Sequence, residues 1–375
     1  MKKGRVFLLV GSSIILFLGA SFLVLSSRFL SSGDTQVHGQ PNIQSNAAAQ
    51  HLYELKMVNS HNGWALSRFH DTTVVLYTSN SGHTWTHVGP TNVRLPSQIS
   101  VSFANDSTAA LLFGAPATLS HHLYVTTDTG RIWSVHTLSP SRESFYPSYV
   151  FANARGVWVS GNTVYPDTLP PPHEILLKLS HGKKLVPIGP APRGIQWFWL
   201  SRSGNGLLWS AFPDDIVYRT SNAGRSWIAI RFPFLHGQPN SLEFPFTPVA
   251  FNKDKVVFLL HYTFATGRLS VLRSQNDLRV WHVVYETPPQ SPRNAPVLTM
   301  ISSHMWWLFY QHTSRTLWFT TNGGKSWTHY HANVDLRKMK DLQFTSKEVG
   351  FGILQNGSKN TLMTTQNGGK TWHVV

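Results

Sequence analysis

One eight-residue pattern governs the sequence beyond residue 50. It reads Ser or Thr, any residue, Asp or Asn, any residue, Gly, any residue, Ser or Thr, Trp. Full copies stand at Thr78–Trp85, Thr220–Trp227, Thr320–Trp327 and Thr365–Trp372. A fifth, Thr126–Trp133, differs by Ile132 at the second hydroxyl position. Ser274–Trp281 keeps Asn276 but lacks the Gly, and between Lys178 and Leu185 only Ser180 and Gly182 stay in register. The closing positions 85, 133, 185, 227, 281, 327 and 372 are separated by 48, 52, 42, 54, 46 and 45 residues. A repeat of about 48 residues is the length of one four-stranded propeller blade.

The residue types explain the pattern. An Asp or Asn side-chain oxygen can accept backbone N–H bonds within a turn, and Gly admits a left-handed φ. The hydroxyls bond the same loop, and Trp anchors the next strand. The structural positions are therefore Asn80 and Trp85, Asp128 and Trp133, Asn222 and Trp227, Asn276 and Trp281, Asn322 and Trp327, Asn367 and Trp372. Apolar runs flank each copy: Thr73–Thr78 and Arg315–Thr320 upstream, Trp85–Val88 and Trp372–Val375 downstream. Two further runs precede each hairpin, as in Ile99–Ala104 with Ala109–Phe113 and Tyr149–Ala152 with Val157–Ser160. The expected fold is all-β, a seven-bladed β-propeller of four-stranded antiparallel blades over residues 51–375, each blade running a, b, c, motif turn, d. Blade one begins near His51 and blade seven ends at Val375. The ring is therefore expected to close by packing of these two blades, without an exchanged strand.

These motifs resemble the Asp-box, or bacterial neuraminidase repeat (BNR), of sialidases, sortilin-type receptors and photosystem II assembly-factor-like propellers. The resemblance covers residues 51–375. It implies that the motif is structural and lies on the outer part of each blade. The assembly-factor-like branch is similar in length, in seven-fold repetition and in segments such as Asn59–Ala65. That similarity implies an exported, non-catalytic module for binding a protein partner or assisting assembly.

The N-terminus sets the expected compartment. Lys2, Lys3 and Arg5 precede an uncharged run from Val6 to Leu25, and Arg28 follows it. A helix over those residues would reach roughly 30 Å, enough to cross a bilayer core. The charge asymmetry places the start in the cytoplasm and the remainder outside. The expected organisation is a basic start and transmembrane signal anchor over 1–27, a flexible linker over 28–50 and the propeller over 51–375. The alternative is secretion after signal cleavage. Zero cysteine excludes disulfides, thiolate metal sites and a Cys nucleophile. Export argues against nucleic acid as partner, despite a net charge of +15.

Three sets of candidate functional residues follow. The residue after the motif Gly is basic or potentially so in every copy: His83, Arg131, Lys183, Arg225, Arg279, Lys325 and Lys370. Together they form a basic rim suited to anionic lipid or wall polymer. Five of the six linkers between blades carry an arginine, Arg94, Arg142, Arg193, Arg293 and Arg337, on the face opposite the motif turns. These form a candidate anion site at the channel mouth, unless Glu143, Glu286 and Asp335 in the same loops pair with them. The alternative function is a sialidase-like glycan hydrolase with two facing carboxylates drawn from Asp71, Asp167, Asp214, Asp215, Glu243 and Glu286. The sialidase signature before the first motif is not matched, because its nearest counterpart, Val93–Pro96, follows that motif. No cofactor and no metal are expected. His329 and His331 share a strand face but lack an evident third ligand. With 19 histidines, surface association is expected to depend on pH.

Overall fold

The computed structural model describes residues 35–39, 51–69, 72–96, 99–114, 121–138, 144–164, 173–180, 184–210, 216–230, 243–245, 248–251, 255–263, 266–275, 277–289, 296–310, 315–357 and 359–375. Seven antiparallel sheets follow one another along the chain, one of them joined by a strand from residues 35–38. Blade 1 comprises Leu52–Met57, Gly63–Phe69, Thr72–Thr78 and Thr86–His87. Blade 2 comprises Ser100–Phe103, Ala109–Gly114, His121–Thr126 and Ile132–Leu138. Blade 3 runs from Ser144–Asn153 to Lys184–Pro190, and blade 4 from Ile195–Leu200 to Ile228–Ile230. In blade 5 the inner strand is broken: Glu243–Pro245 and Val249–Phe251 both pair with Val256–Thr263. Blade 6 runs from Pro296–Met300 to Thr328–His331, and blade 7 from Met339–Phe344 to His373–Val374.

The core lies between blades. Neighbouring residues on one strand turn to opposite faces, so Val75 packs toward blade 2 while Leu76 packs toward blade 7. Each of the seven seams holds one buried cluster, such as Trp197, Trp209, Leu259 and Leu272 between blades 4 and 5. Between blades 6 and 7, Trp307 stacks on Phe344 with ring centroids 3.9 Å apart.

Blade 1 and blade 7 each supply all four of their own strands, so the ring closes without exchange. Side chains of blade 7 lock that seam. Leu55 N–H donates to Asp341 Oδ2 at 3.0 Å and Met57 N–H to Gln343 Oε1 at 2.9 Å. Gln343 Nε2 returns a bond to Leu55 O at 3.0 Å. Asp341 reaches its position from a break in strand register, at φ +49°, a conformation that Asp tolerates better than most residues.

The segment expected to be a flexible linker contains a strand. Thr35–His38 pairs antiparallel with Ile132–Val135, giving blade 2 a fifth, outermost strand. Unpaired edge amides of a d strand readily take another strand, and Thr91 N–H and Oγ1 both donate to His38 O at 2.9 Å. A cavity of 270 Å³, bordered by Gln36, Asp128 and Leu179, lies beside this added strand. The apolar run 6–25 lies outside the described residues. Among the described residues no helix is long and apolar enough to cross a membrane.

The motif turns use their polar atoms internally. Thr78 Oγ1 donates to Asn80 Oδ1 at 3.0 Å and accepts from Gly82 N–H at 2.9 Å. Asn80 Oδ1 also accepts from Thr84 N–H, while its Nδ2 donates to Thr84 Oγ1, both at 2.9 Å. Asn222, Asn322 and Asn367 repeat this network. Asp128 accepts from Thr126 Oγ1 and Ile132 N–H. The bond from Ile132 N–H to Asp128 Oδ1 uses the backbone alone, so it forms without a side-chain hydroxyl at 132. Asn276 lies outside the described residues.

Two successive residues are left-handed in each described turn, not Gly alone. Ser81, Thr129 and Ala223 have φ of +62°, +64° and +59° ahead of Gly82, Gly130 and Gly224. The glycines are also contact points between blades. A Cβ on Gly82 would sit 2.5 Å from Leu362 of blade 7, and one on Gly224 would sit 2.6 Å from Leu176 of blade 3. The motif therefore sets both its own turn and the approach of the preceding blade.

Candidate functional site

Strand order places the motif turns and the a–b loops on one face, and the b–c loops and interblade linkers on the other. On the first face His83, Arg131, Arg225, Arg279, Lys325 and Lys370 are exposed. Lys370 extends over the ring of Tyr330 at 5.7 Å. Lys183 lies outside the described residues.

On the opposite face, three of the five linker arginines are described, and each has a local engagement. Arg94 Nε donates to Thr72 Oγ1 at 3.3 Å. Arg337 grips Asp335, with Nη2 2.6 Å from Oδ2 and Nε 2.9 Å from Oδ1, which holds that carboxyl below its ordinary pKa. Arg193 lies near Glu174, and its carbonyl accepts from the Ser210 hydroxyl. Arg142 and Arg293 lie outside the described residues, as do Glu143, Asp71, Asp167, Asp214 and Asp215. Glu243 belongs to the broken inner strand of blade 5. Glu286 pairs with Arg268 at 3.1 Å.

Glu174 clamps a linker. It accepts from Gly194 N–H at 2.6 Å and from Ile195 N–H at 3.0 Å, yet burial pushes its carboxyl up to about 7. His329 stacks against Trp318 with centroids 4.5 Å apart, and the His329 and His331 rings are 6.4 Å apart. Among the described residues no group of three or more His, Asp or Glu is placed to hold a metal ion.

The inner strands hold a set of ionisable side chains that sequence patterning did not single out. Glu54 and Lys56 project from the inner strand of blade 1, on the side opposite Leu55 and Met57, which pack toward blade 7. Burial, and then the Asp341 charge, push the Glu54 carboxyl up to about 7. Burial holds Lys56 below the ordinary lysine range and raises Asp341, against the lowering effects of the Leu55 N–H bond and of Lys340. Lys56 and Asp341 are nonetheless solvent-accessible. Both stand on the innermost strands of their blades, which border the axis of the ring. Tyr149, on the inner strand of blade 3 and packed edge-on against Phe198 of blade 4, is pushed up to about 12 by burial and then by the Glu54 charge. The available signal in the sequence was a Glu and a Lys two residues apart within a segment otherwise reading as a buried inner strand.

No protein-family model and no curated protein sequence matches the chain. Solved structures do. A chain described as YCF48 bound to a D1 peptide is 17% identical, with 89% of this chain and 96% of that chain covered at a TM-score of 0.52. An oligogalacturonate lyase in complex with manganese is 10% identical, with coverage of 90% and 98% and a TM-score of 0.56. A periplasmic gluconolactonase of Pseudomonas aeruginosa is 11% identical, with coverage of 92% and 99% and a TM-score of 0.50. At these identities the likeness establishes the propeller fold, which is shared by binding proteins and enzymes alike.

Proposed function

We propose that this chain is an extracytoplasmic propeller, tethered through a membrane anchor over residues 6–25, that holds an envelope protein partner without catalysing a reaction. The supporting observation is a contrast in how polar groups are used. The motif turns, which we assign to the Asp-box type, satisfy their own side chains, whereas Glu54 and Lys56 carry charge into the channel that the fold does not use. A similarly folded chain described as bound to a peptide supports the same reading. Arg94, Arg142, Arg193, Arg293 and Arg337 would draw an anionic partner toward the mouth, and the basic rim would rest on anionic lipid or wall polymer. Affinity capture with the full chain from its own cell envelope tests this reading. Specific recovery of a protein, reduced when Arg94, Arg142 and Arg337 become Lys, is the expected result. Resistance of the chain to alkaline extraction from membranes tests the anchor.

One observation favours a second reading. The Asp341 charge adds to burial in raising Glu54, and a carboxyl with a pKa of about 7 near a second carboxylate is a common acid–base arrangement in glycan hydrolysis. Release of sugar from wall glycans or sialosides, abolished in Glu54→Gln, would favour the hydrolase.

A further inference from the structure

Three seams of the ring can be compared position by position. In each blade the inner strand alternates between N–H groups aimed at strand b and N–H groups aimed away from it. The residue opening the a–b loop fixes the phase, because its N–H bonds strand b: Val58 to Asn62 in blade 1, Ala104 to Thr108 in blade 2, Thr345 to Val349 in blade 7. The residues two and four places earlier then point their side chains at the next blade. In blade 7 these are Gln343 and Asp341, which cap Met57 N–H and Leu55 N–H. In blade 2 they are Ser102 and Ser100, which cap Ala152 N–H at 2.9 Å and Val150 N–H at 3.0 Å.

In blade 1 the equivalent residues are Lys56 and Glu54. Lys56 is a donor and cannot cap an N–H group. The phase set by Ala104 aims Val101 N–H and Phe103 N–H away from strand b, toward blade 1, and among the described residues neither has an acceptor. Two amides one strand repeat apart therefore lack an acceptor on the blade 1–2 seam, the side toward which the alternation of the strand turns Lys56.

We propose that this edge of blade 2, Val101 and Phe103 with Lys56 of blade 1, binds a ligand carboxylate that enters the channel. The carboxylate oxygens would do for Val101 N–H and Phe103 N–H what Asp341 Oδ2 does for Leu55 N–H. Lys56 supplies the counter-charge, and Glu54 weakens binding as it ionises. The assignment deepens the binding-module reading and rests on it.

Residue-resolved hydrogen exchange on the full chain tests it with succinate as probe and inorganic phosphate as comparison. Without ligand, Val101 and Phe103 amides should exchange about tenfold faster than Leu55, Met57, Val150 and Ala152. Succinate should slow Val101 and Phe103 saturably, Lys56→Met should remove that protection, and Lys56→Arg should retain it. Equal exchange at the three seams, no response to saturating succinate, or equal protection by phosphate would each overturn the carboxylate assignment. Partner recovery from the envelope that survives Lys56→Met would also overturn it, while leaving the binding function in place with another contact surface.

Discussion

At Asn80 every side-chain polar atom is matched within eight residues of chain, whereas at Glu54, in a neighbouring part of the same blade, burial and the charge of Asp341 push a carboxyl up to about 7. Among the described residues the turn repeats in blades 1, 4, 6 and 7 with little change of geometry. The channel wall does not: its equivalent positions hold Glu and Lys in blade 1, Ser and Ser in blade 2, Asp and Gln in blade 7. Repetition marks what each blade needs for its own shape, and departure from repetition marks where the chain can do something else.

The largest expected effect lies in the turns. Gly224→Val adds a Cβ 2.6 Å from Leu176 Cδ2 at φ +89°. Backbone strain and overpacking together should lower unfolding stability by about 2–4 kcal/mol in denaturant titration. A neutral outcome would show that the blade 3–4 seam has slack that the contacts do not suggest. Next, Asn322→Ala leaves Ser326 N–H and the Thr320 hydroxyl without their acceptor. It should cost about 1–2 kcal/mol, since the buried Thr320 hydroxyl loses its acceptor while the exposed Ser326 N–H can turn to water.

The channel sharpens the comparison through pH. Glu54 has a folded pKa raised from 4.5 to about 7, so the folded state holds its proton more tightly than the unfolded chain. Its contribution to stability is complete below about pH 4.5 and is lost as pH rises through about 7. Glu54→Gln should therefore raise the melting temperature at pH 8 relative to the parent and change it little at pH 4. After screening by channel water the gain should be about 1–2 kcal/mol. A gain of equal size at both pH values would mean that the carboxyl is not strained by its surroundings. The smallest effect expected is at Ala223, whose φ of +59° suits Gly better. Ala223→Gly should stabilise by about 0.5 kcal/mol, relief of left-handed strain being partly offset by chain entropy.

The fold was legible because its signal is local and repeated. Trp85, Trp133 and Trp372 are buried at the ring positions their spacing implied, and the strands flanking them follow the apolar runs. Residues 35–38 read as linker, because Thr-Gln-Val-His carries too little apolar surface to mark a strand. Their order comes from an edge supplied by Ile132–Val135, about 100 residues away in sequence. The need for two left-handed residues was half-visible, since Gly-Gly appears in blades 6 and 7 while Ser81, Thr129 and Ala223 conceal it elsewhere. The channel set was not legible. Glu54, Asp341 and Tyr149 come from blades 1, 7 and 3, and only ring closure brings their charges within reach of one another. Recurrence singled out the linker arginines, and of the acids in the same loops that could pair with them, Asp335 does engage the guanidinium of Arg337.

The central claim is that the partner is held in the channel while the motif rim serves only surface association. Affinity capture from the envelope with two variants of the full chain tests it most directly. Glu54→Gln combined with Lys56→Met should lose the partner protein and still bind anionic vesicles. Arg131, Arg225, Lys325 and Lys370 changed together to Gln should lose the vesicles and still recover the partner. Recovery of the partner by the channel variant, together with its loss from the rim variant, would contradict the account.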